Sequence, residues 1–478
     1  MIRLIDQRIH FFPIRTRMPF RYGIATMRNL PIAFVFLKFQ FGDGIAETRW
    51  GMASDLLPPR WFKKDPDQSP DSEIQEMKSV LLHAIEAAQE LETETPFAFW
   101  DQLHRLQLEW AEQKGIPPLL ANFGTTFVER ALLDAFARFH QKPLCKLISH
   151  KKLTLELGTL HPELYGLSPV DLLPKTPLPR IQARHTVGFG DPLEERDIAA
   201  DNRVADPLPQ SLEAAIEHYG LTQFKVKING RLDDDLARLR ALAKIFERLC
   251  PQGYALSLDG NEQFSDWPQF AAFWAQARAS PELHPLLENV LFIEQPLSRS
   301  AALSSSEIGQ LPDGNETPPV IIDESDDGPE TFRRALACGY RGVSHKNCKG
   351  VFKGIANRCL IEHRNQTSDT HLMMSGEDLC NIGPVAVLQD LTLQSLLGNA
   401  SVERNGHHYF YGLSPFPTAV QSLLAERHPE LFQSAIDGSA CLQIHCGEIP
   451  TAHLHHLPFG TGFTPEELSE ALGLETLT

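Results

Sequence analysis

From residue 180 to residue 403 short β-branched, apolar runs alternate with longer amphipathic ones, eight times over. Runs of period near two read as strands at 180–187, 224–228, 254–259, 290–294, 320–323, 342–346, 372–375 and 400–403. Between them lie helix patterns. The clearest is 232–249, where Leu236, Leu239, Leu242, Ile245 and Phe246 recur at helical spacing, and another, 329–338, stops at Gly339. Strands alternating with helices pair in parallel, and eight such units are the count for a (β/α)8 barrel.

Chemistry in such a barrel sits at the C-terminal ends of its strands. The second strand, Phe224-Lys225-Val226-Lys227-Ile228, places both lysines on one face and its apolar residues on the other. The third ends in Asp259, the fourth in Glu294, the fifth in Asp323-Glu324 and the sixth in Lys346. Any one of these acids alone reads more readily as an N-cap for the next helix than as a metal ligand. Five coincident strand ends argue against that explanation for the set. Three carboxylates converging inside a barrel repel unless a cation lies between them, and all-oxygen ligation without His or Cys selects Mg²⁺ first and Mn²⁺ second. A lysine becomes a base when a neighbouring ammonium or a metal lowers its pKa. This combination suits removal of the proton α to a carboxylate, with lysines on either side to take and return it.

Before the barrel, residues 1–50 read as a β meander turning at Gly42-Asp43-Gly44, with Phe20 to Met27 as a mobile loop. A Pro-, Lys- and Asp-rich excursion spans 56–72, and helices follow at 72–92, 97–109 and 125–140. The expected organisation is therefore an α+β capping domain over 1–150, a connector at 151–179, the barrel at 180–425, and a C-terminal segment at 426–478 packing back on the cap. A net charge of −17 argues against nucleic acid or an anionic membrane as partner. The start lacks the apolar core of a signal peptide, and the eight cysteines show no metal-type spacing, so a cytoplasmic protein with reduced thiols is expected.

The segments Lys225-Val226-Lys227, Leu258-Asp259-Gly260-Asn261, Phe292-Ile293-Glu294-Gln295-Pro296, Ile322-Asp323-Glu324-Ser325 and Val343-Ser344-His345-Lys346 together resemble the enolase superfamily, within it the muconate lactonising enzyme subgroup. In the front domain, Glu129-Arg130-Ala131-Leu132-Leu133-Asp134 with Lys142-Pro143-Leu144 is similar to that family's last cap helix. The resemblance implies Asp259, Glu294 and Asp323 as metal ligands, with Asp323 preferred to Glu324. Lys227 and Lys346 would form the acid/base pair, with Lys225 tuning Lys227 and helping to bind the substrate carboxylate. Glu324 and Asn261 would support the ligands. It further implies a small-molecule carboxylate substrate and a homo-oligomer.

Racemisation or epimerisation is the expected reaction. Cycloisomerisation, dehydration of the succinylbenzoate synthase type, and an enolase-like binding protein without turnover stand as alternatives. Three regions depart from the family pattern: the long acidic loop 188–209, the segment 142–179 and the tail beyond Ala425. His407-His408 and His453-Leu454-His455-His456 read as packing or rim histidines rather than a zinc site. Met373 to Asp378 are expected near the pocket, and Phe20 to Met27 with Trp50 to Ser54 are expected to lid it.

Overall fold

The structure, a computed structural model, describes residues 1–22, 25–42, 47–304, 311, 317–434 and 438–477. Strands β1 (Ile2–Tyr22), β2 (Ala25–Phe41) and β3 (Glu47–Leu56) form an antiparallel sheet completed by the short β4 (Glu92–Thr93), in the order β3-β2-β1-β4. A continuous apolar run builds the centre of the long β1–β2 hairpin: Ile32 to Leu37 of β2 is buried on both faces. The described part of the segment expected as a mobile loop, 20–22 and 25–27, belongs to this hairpin, with Phe20 paired to Met27 and Arg21 to Thr26, while residues 23 and 24 lie outside the described residues. Aromatic packing supplies what local propensity does not reveal, since Phe20 stacks on Tyr409 at 4.1 Å between ring centres. Of the expected Gly42-Asp43-Gly44 turn, Asp43 and Gly44 lie outside the described residues.

Helices α1 (Pro70–Gln89), α2 (Pro96–Lys114) and α3 (Pro118–His140) pack on the sheet. Ser69 and Thr95 accept N-terminal backbone N–H groups of α1 and α2, and proline occupies their first turns. In α3 nearly every residue from Leu119 to Ala137 is buried, because β3 covers one side and the barrel another. The approach of β3 is close enough to demand glycine at Gly51, where a Cβ would lie 2.0 Å from the carbonyl oxygen of Ala131.

Eight parallel strands follow: β5 (Arg180–Val187), β6 (Gln223–Lys227), β7 (Ala255–Asp259), β8 (Val290–Glu294), β9 (Val320–Ile322), β10 (Gly342–His345), β11 (Met373–Gly376) and β12 (Ser401–Arg404). Each pairs with the next, and β12 pairs with β5 to close the barrel. The expected strands are all present, with no end moved by more than one residue. In the tail, Glu448–Pro450 adds antiparallel to β5, while Arg138 of α3 donates to Thr461 at 2.7 Å and to the Phe463 carbonyl at 3.0 Å. No helix among the described residues is long and apolar enough to cross a membrane.

Candidate active site

Register fixes where the charged strand ends lie. Lys227 pairs with Asp259 and Asp259 with Glu294 across β6, β7 and β8, so the three side chains stand at one level of the barrel mouth. Strands β6 and β10 are four apart in a closed ring of eight, which puts Lys227 and Lys346 on opposite sides of that mouth. Lys225, Lys227, Asp323 and Lys346 all line one cleft, roofed from the cap by Phe20, Met27, Pro58 and Trp61.

Lys225 is the hub. Its Nζ lies 2.9 Å from Asp259, 2.8 Å from Glu294, 2.9 Å from Glu377 and 3.0 Å from Glu403. Lys227 donates to Asp259 at 2.5 Å, and Lys346 donates to Asp323 at 2.7 Å and Glu377 at 2.6 Å. Arg184, rising from β5 inside the barrel, reaches Ser375 at 2.6 Å and Glu377 at 3.4 Å. With every group in its usual charge state, five carboxylates (Asp259, Glu294, Asp323, Glu377, Glu403) balance five cations (Arg184, Lys225, Lys227, Lys346, Lys349).

Burial alone would push the lysines down, but the surrounding carboxylates outweigh it. Asp259, Glu294, Glu377 and Glu403 hold Lys225 well above the ordinary lysine value, and Asp323 and Glu377 do the same for Lys346. Glu294 is driven well above the ordinary Glu value, first by burial, then by repulsion from Asp259 and Glu377. One of its oxygens, Oε2, is buried without a hydrogen-bond partner. That orphaned oxygen, in an all-carboxylate donor set, fits a hard divalent cation.

Among the described residues, one group of carboxylates gathers its ligand atoms closely enough for a metal: Glu294, Asp323 and Glu377, all within 4.8 Å of one another. Asp259 is drawn beside them toward Lys225 and Lys227, and its Oδ1 accepts the Asn261 N–H at 2.8 Å. Asp323 lines the cleft, whereas Glu324 turns behind it to Asn261 at 3.2 Å and Lys64 at 3.3 Å. The turn that follows β9 sends these two neighbours in different directions. Gln295 buttresses the same turn by accepting the backbone N–H of Asp323 at 2.8 Å.

Sequence reasoning placed Glu377 only within a segment near the pocket, and it missed Glu403, Arg184 and Lys349. The ends of the seventh and eighth strands were the signal for the two glutamates; for Arg184, in the middle of β5, the sequence carries none. Of the two segments expected as a lid, the first does roof the cleft, through Phe20 and Met27, whereas Trp50 to Ser54 lies within β3 and its place is taken by Pro58 and Trp61 in the irregular excursion. Arg299 of the barrel grips the Phe62 and Trp61 carbonyls at 2.6 and 2.9 Å, which fixes a segment without regular structure. His407 and His408 are buried against His185, His453 contacts His428, and no metal-type grouping includes them among the described residues.

Residues 208–422 match a family model described as enolase C-terminal domain-like. A mandelate racemase/muconate lactonizing enzyme from Bordetella bronchiseptica RB50 superposes with a TM-score of 0.57 at 17% identity, over 99% of each chain. An enolase from Bradyrhizobium, complexed with magnesium and mandelic acid, gives 0.54 at 13% identity, covering 94% of this chain and 93% of that one. A dipeptide epimerase from Enterococcus faecalis V583, complexed with Mg and the dipeptide L-Leu-L-Tyr, gives 0.54 at 12% identity, covering 86% and 92%. At these identities the solved structures establish a shared fold. No curated protein matches this chain in sequence.

Proposed function

We propose that this chain, whose residues 208–422 match a family model described as enolase C-terminal domain-like, is a Mg²⁺-dependent enzyme of the mandelate racemase and muconate lactonising kind that abstracts the proton α to a carboxylate, acting as a racemase or epimerase. The observation that carries this reading is the placement of two lysines on diametrically opposed strands, Lys227 on β6 and Lys346 just beyond β10, around converging carboxylates. A base on each face of one α-carbon suits 1,1-proton transfer, in which one lysine removes the proton and the other returns it.

Asp259, Glu294 and Asp323 would hold the ion. When bound, Mg²⁺ supplies Lewis-acid stabilisation of the charge that develops on the substrate carboxylate. Lys225 contacts both Asp259 and Glu294, which favours their ionised forms, and presents a fixed positive charge to the substrate. Glu377 faces the pair from across the ring and holds Lys346 protonated, ready to donate. The carboxylates that keep Lys346 charged include one offered to the ion, so the basicity of this lysine is linked to occupancy of the site. The Trp61 ring, 5.3 Å from Lys346 Nζ, shields the ammonium from water. Substrates are small carboxylates with an apolar substituent, since Phe20, Met27, Pro58 and Trp61 form the roof.

The test is exchange in deuterated water with Mg²⁺ and pooled 2-substituted acids, N-acyl amino acids and dipeptides, read by mass spectrometry and chiral separation. Metal-dependent deuterium gain with inversion supports the proposal. Loss of water or ring closure without inversion transfers the site to elimination or cycloisomerisation. No exchange in any acid, with Mg²⁺ bound, favours a binding protein.

A further inference from the structure

Two lysines compete for one oxygen of Asp323. Its Oδ1 accepts Lys346 Nζ at 2.7 Å, Lys349 Nζ at 2.8 Å and Ser344 Oγ at 2.5 Å. The two lysines are not equivalent. Lys346 lines the cleft, and its other carboxylate partner is Glu377. Lys349 does not line it. Its side chain is 0% exposed, folded back by the tight turn Asn347–Lys349. There the ammonium also bonds the Asp323 carbonyl at 2.8 Å, the Ser344 carbonyl at 3.1 Å and Ser344 Oγ at 2.8 Å.

Four acceptors from the ends of two neighbouring strands therefore pin Lys349, while Lys346 can swing into the cleft without leaving a buried carbonyl unpaired. A buried carboxylate stripped of its cation costs several kcal/mol, so a residue that moves a proton cannot also be the sole partner of Asp323. With Ser344 and Lys349 both on Oδ1, the orientation of the carboxylate is set and Oδ2 takes neither bond.

We propose that Lys349 is a positioning residue that permanently compensates and orients Asp323, so that Asp323 offers Oδ2 to a divalent ion and Lys346 is released for proton transfer. This rests on the reading of Asp323 as a metal ligand. The division of labour follows from the spacing Lys346-Asn347-Cys348-Lys349, in which the turn sends the first lysine into the cleft and the second beneath it.

The experiment is calorimetric titration of Mg²⁺ into the full chain as wild type, Lys349→Met, Asp323→Asn and the double variant, with Lys349→Gln as the form that keeps donors to Ser344 but lacks the charge. Lys349→Met and Lys349→Gln are expected to weaken Mg²⁺ binding at least tenfold, and Lys349→Met is expected to add nothing to Asp323→Asn. A residue with a merely structural role would lower the thermal midpoint and leave Mg²⁺ affinity within twofold. That outcome in the glutamine variant, or losses that add in the double variant, overturns the inference. A wild type that binds no Mg²⁺ overturns the metal reading itself.

Discussion

Glu129, near the middle of α3, accepts the backbone N–H of Phe352 at 2.7 Å and that of Val351 at 3.0 Å. A side chain of the first domain thus caps a helix of the second, Val351–Thr367, which begins directly after the Lys346–Lys349 turn. Gly350 makes room for it: its φ is 103°, and a Cβ there would lie 3.3 Å from the Glu129 carboxylate. Glu129→Leu leaves two buried N–H groups unpaired and is expected to destabilise the protein by about 1 to 3 kcal/mol. Urea unfolding measures this. A loss below about 0.5 kcal/mol would show that water caps the helix as well as the carboxylate does.

Asp259 and Glu377 are the two carboxylates whose metal roles differ most between the adjacent-strand pattern and the gathered triad. The proposal assigns Asp259 to the ion and Glu377 to the restraint of Lys346. Asp259→Asn is then expected to weaken Mg²⁺ binding tenfold or more, and Glu377→Gln to change it less than about threefold, since loss of a charged ligand costs more than loss of a neighbouring charge. Calorimetry on both decides it. The reverse ranking makes Glu377 the third ligand.

The fold was legible because each of its signals is local: eight apolar runs, the helical stripes between them, and glycine stops. Charged strand ends were legible for the same reason, as Asp259, Glu294, Asp323 and Lys346 each interrupt or close an apolar run. Arg184 and Lys349 were not. An arginine in a strand and a lysine in a turn read as solvated, and only closure of β12 on β5 and the Asn347–Lys349 turn bury them. The hairpin pairing of the Phe20 segment and the fixing of 57–68 over the cleft were not legible, because distant partners order them: Tyr409 for the first, Arg299 for the second.

Lys227 and Lys346 differ in their hold on the site, and this separates their variants. Lys227 touches Asp259, while Lys346 touches Asp323 and Glu377. Removing either base is expected to abolish racemisation, by about 10²- to 10⁴-fold. Each single variant should still exchange the α-proton of one enantiomer, and the two variants should exchange opposite enantiomers. Deuterium incorporation into each pure enantiomer reads this directly. If both variants retain the same enantiomer, one base serves both faces and the two-base proposal fails.

Glu73 ties the roof of the site to α1. Its Oε1 accepts the Arg60 N–H at 2.7 Å, beside Trp61, while Oε2 is buried without a partner. Burial pushes its pKa up to about 7, against the Arg60 N–H and the nearby charge of Arg60, from an ordinary 4.5. A carboxyl raised on folding binds its proton more tightly in the native state. Its contribution to stability is therefore full below about pH 4.5 and falls as pH rises toward 7. Glu73→Gln keeps an oxygen for Arg60 and removes the charge. The variant is expected to match wild type at pH 4 and exceed it by about 2 kcal/mol at pH 8, from the size of the shift. Urea unfolding across pH 4 to 8 measures the difference, and a gap that stays flat with pH would mean that Glu73 is solvated in its ionised form and that the roof is held by Arg299 alone.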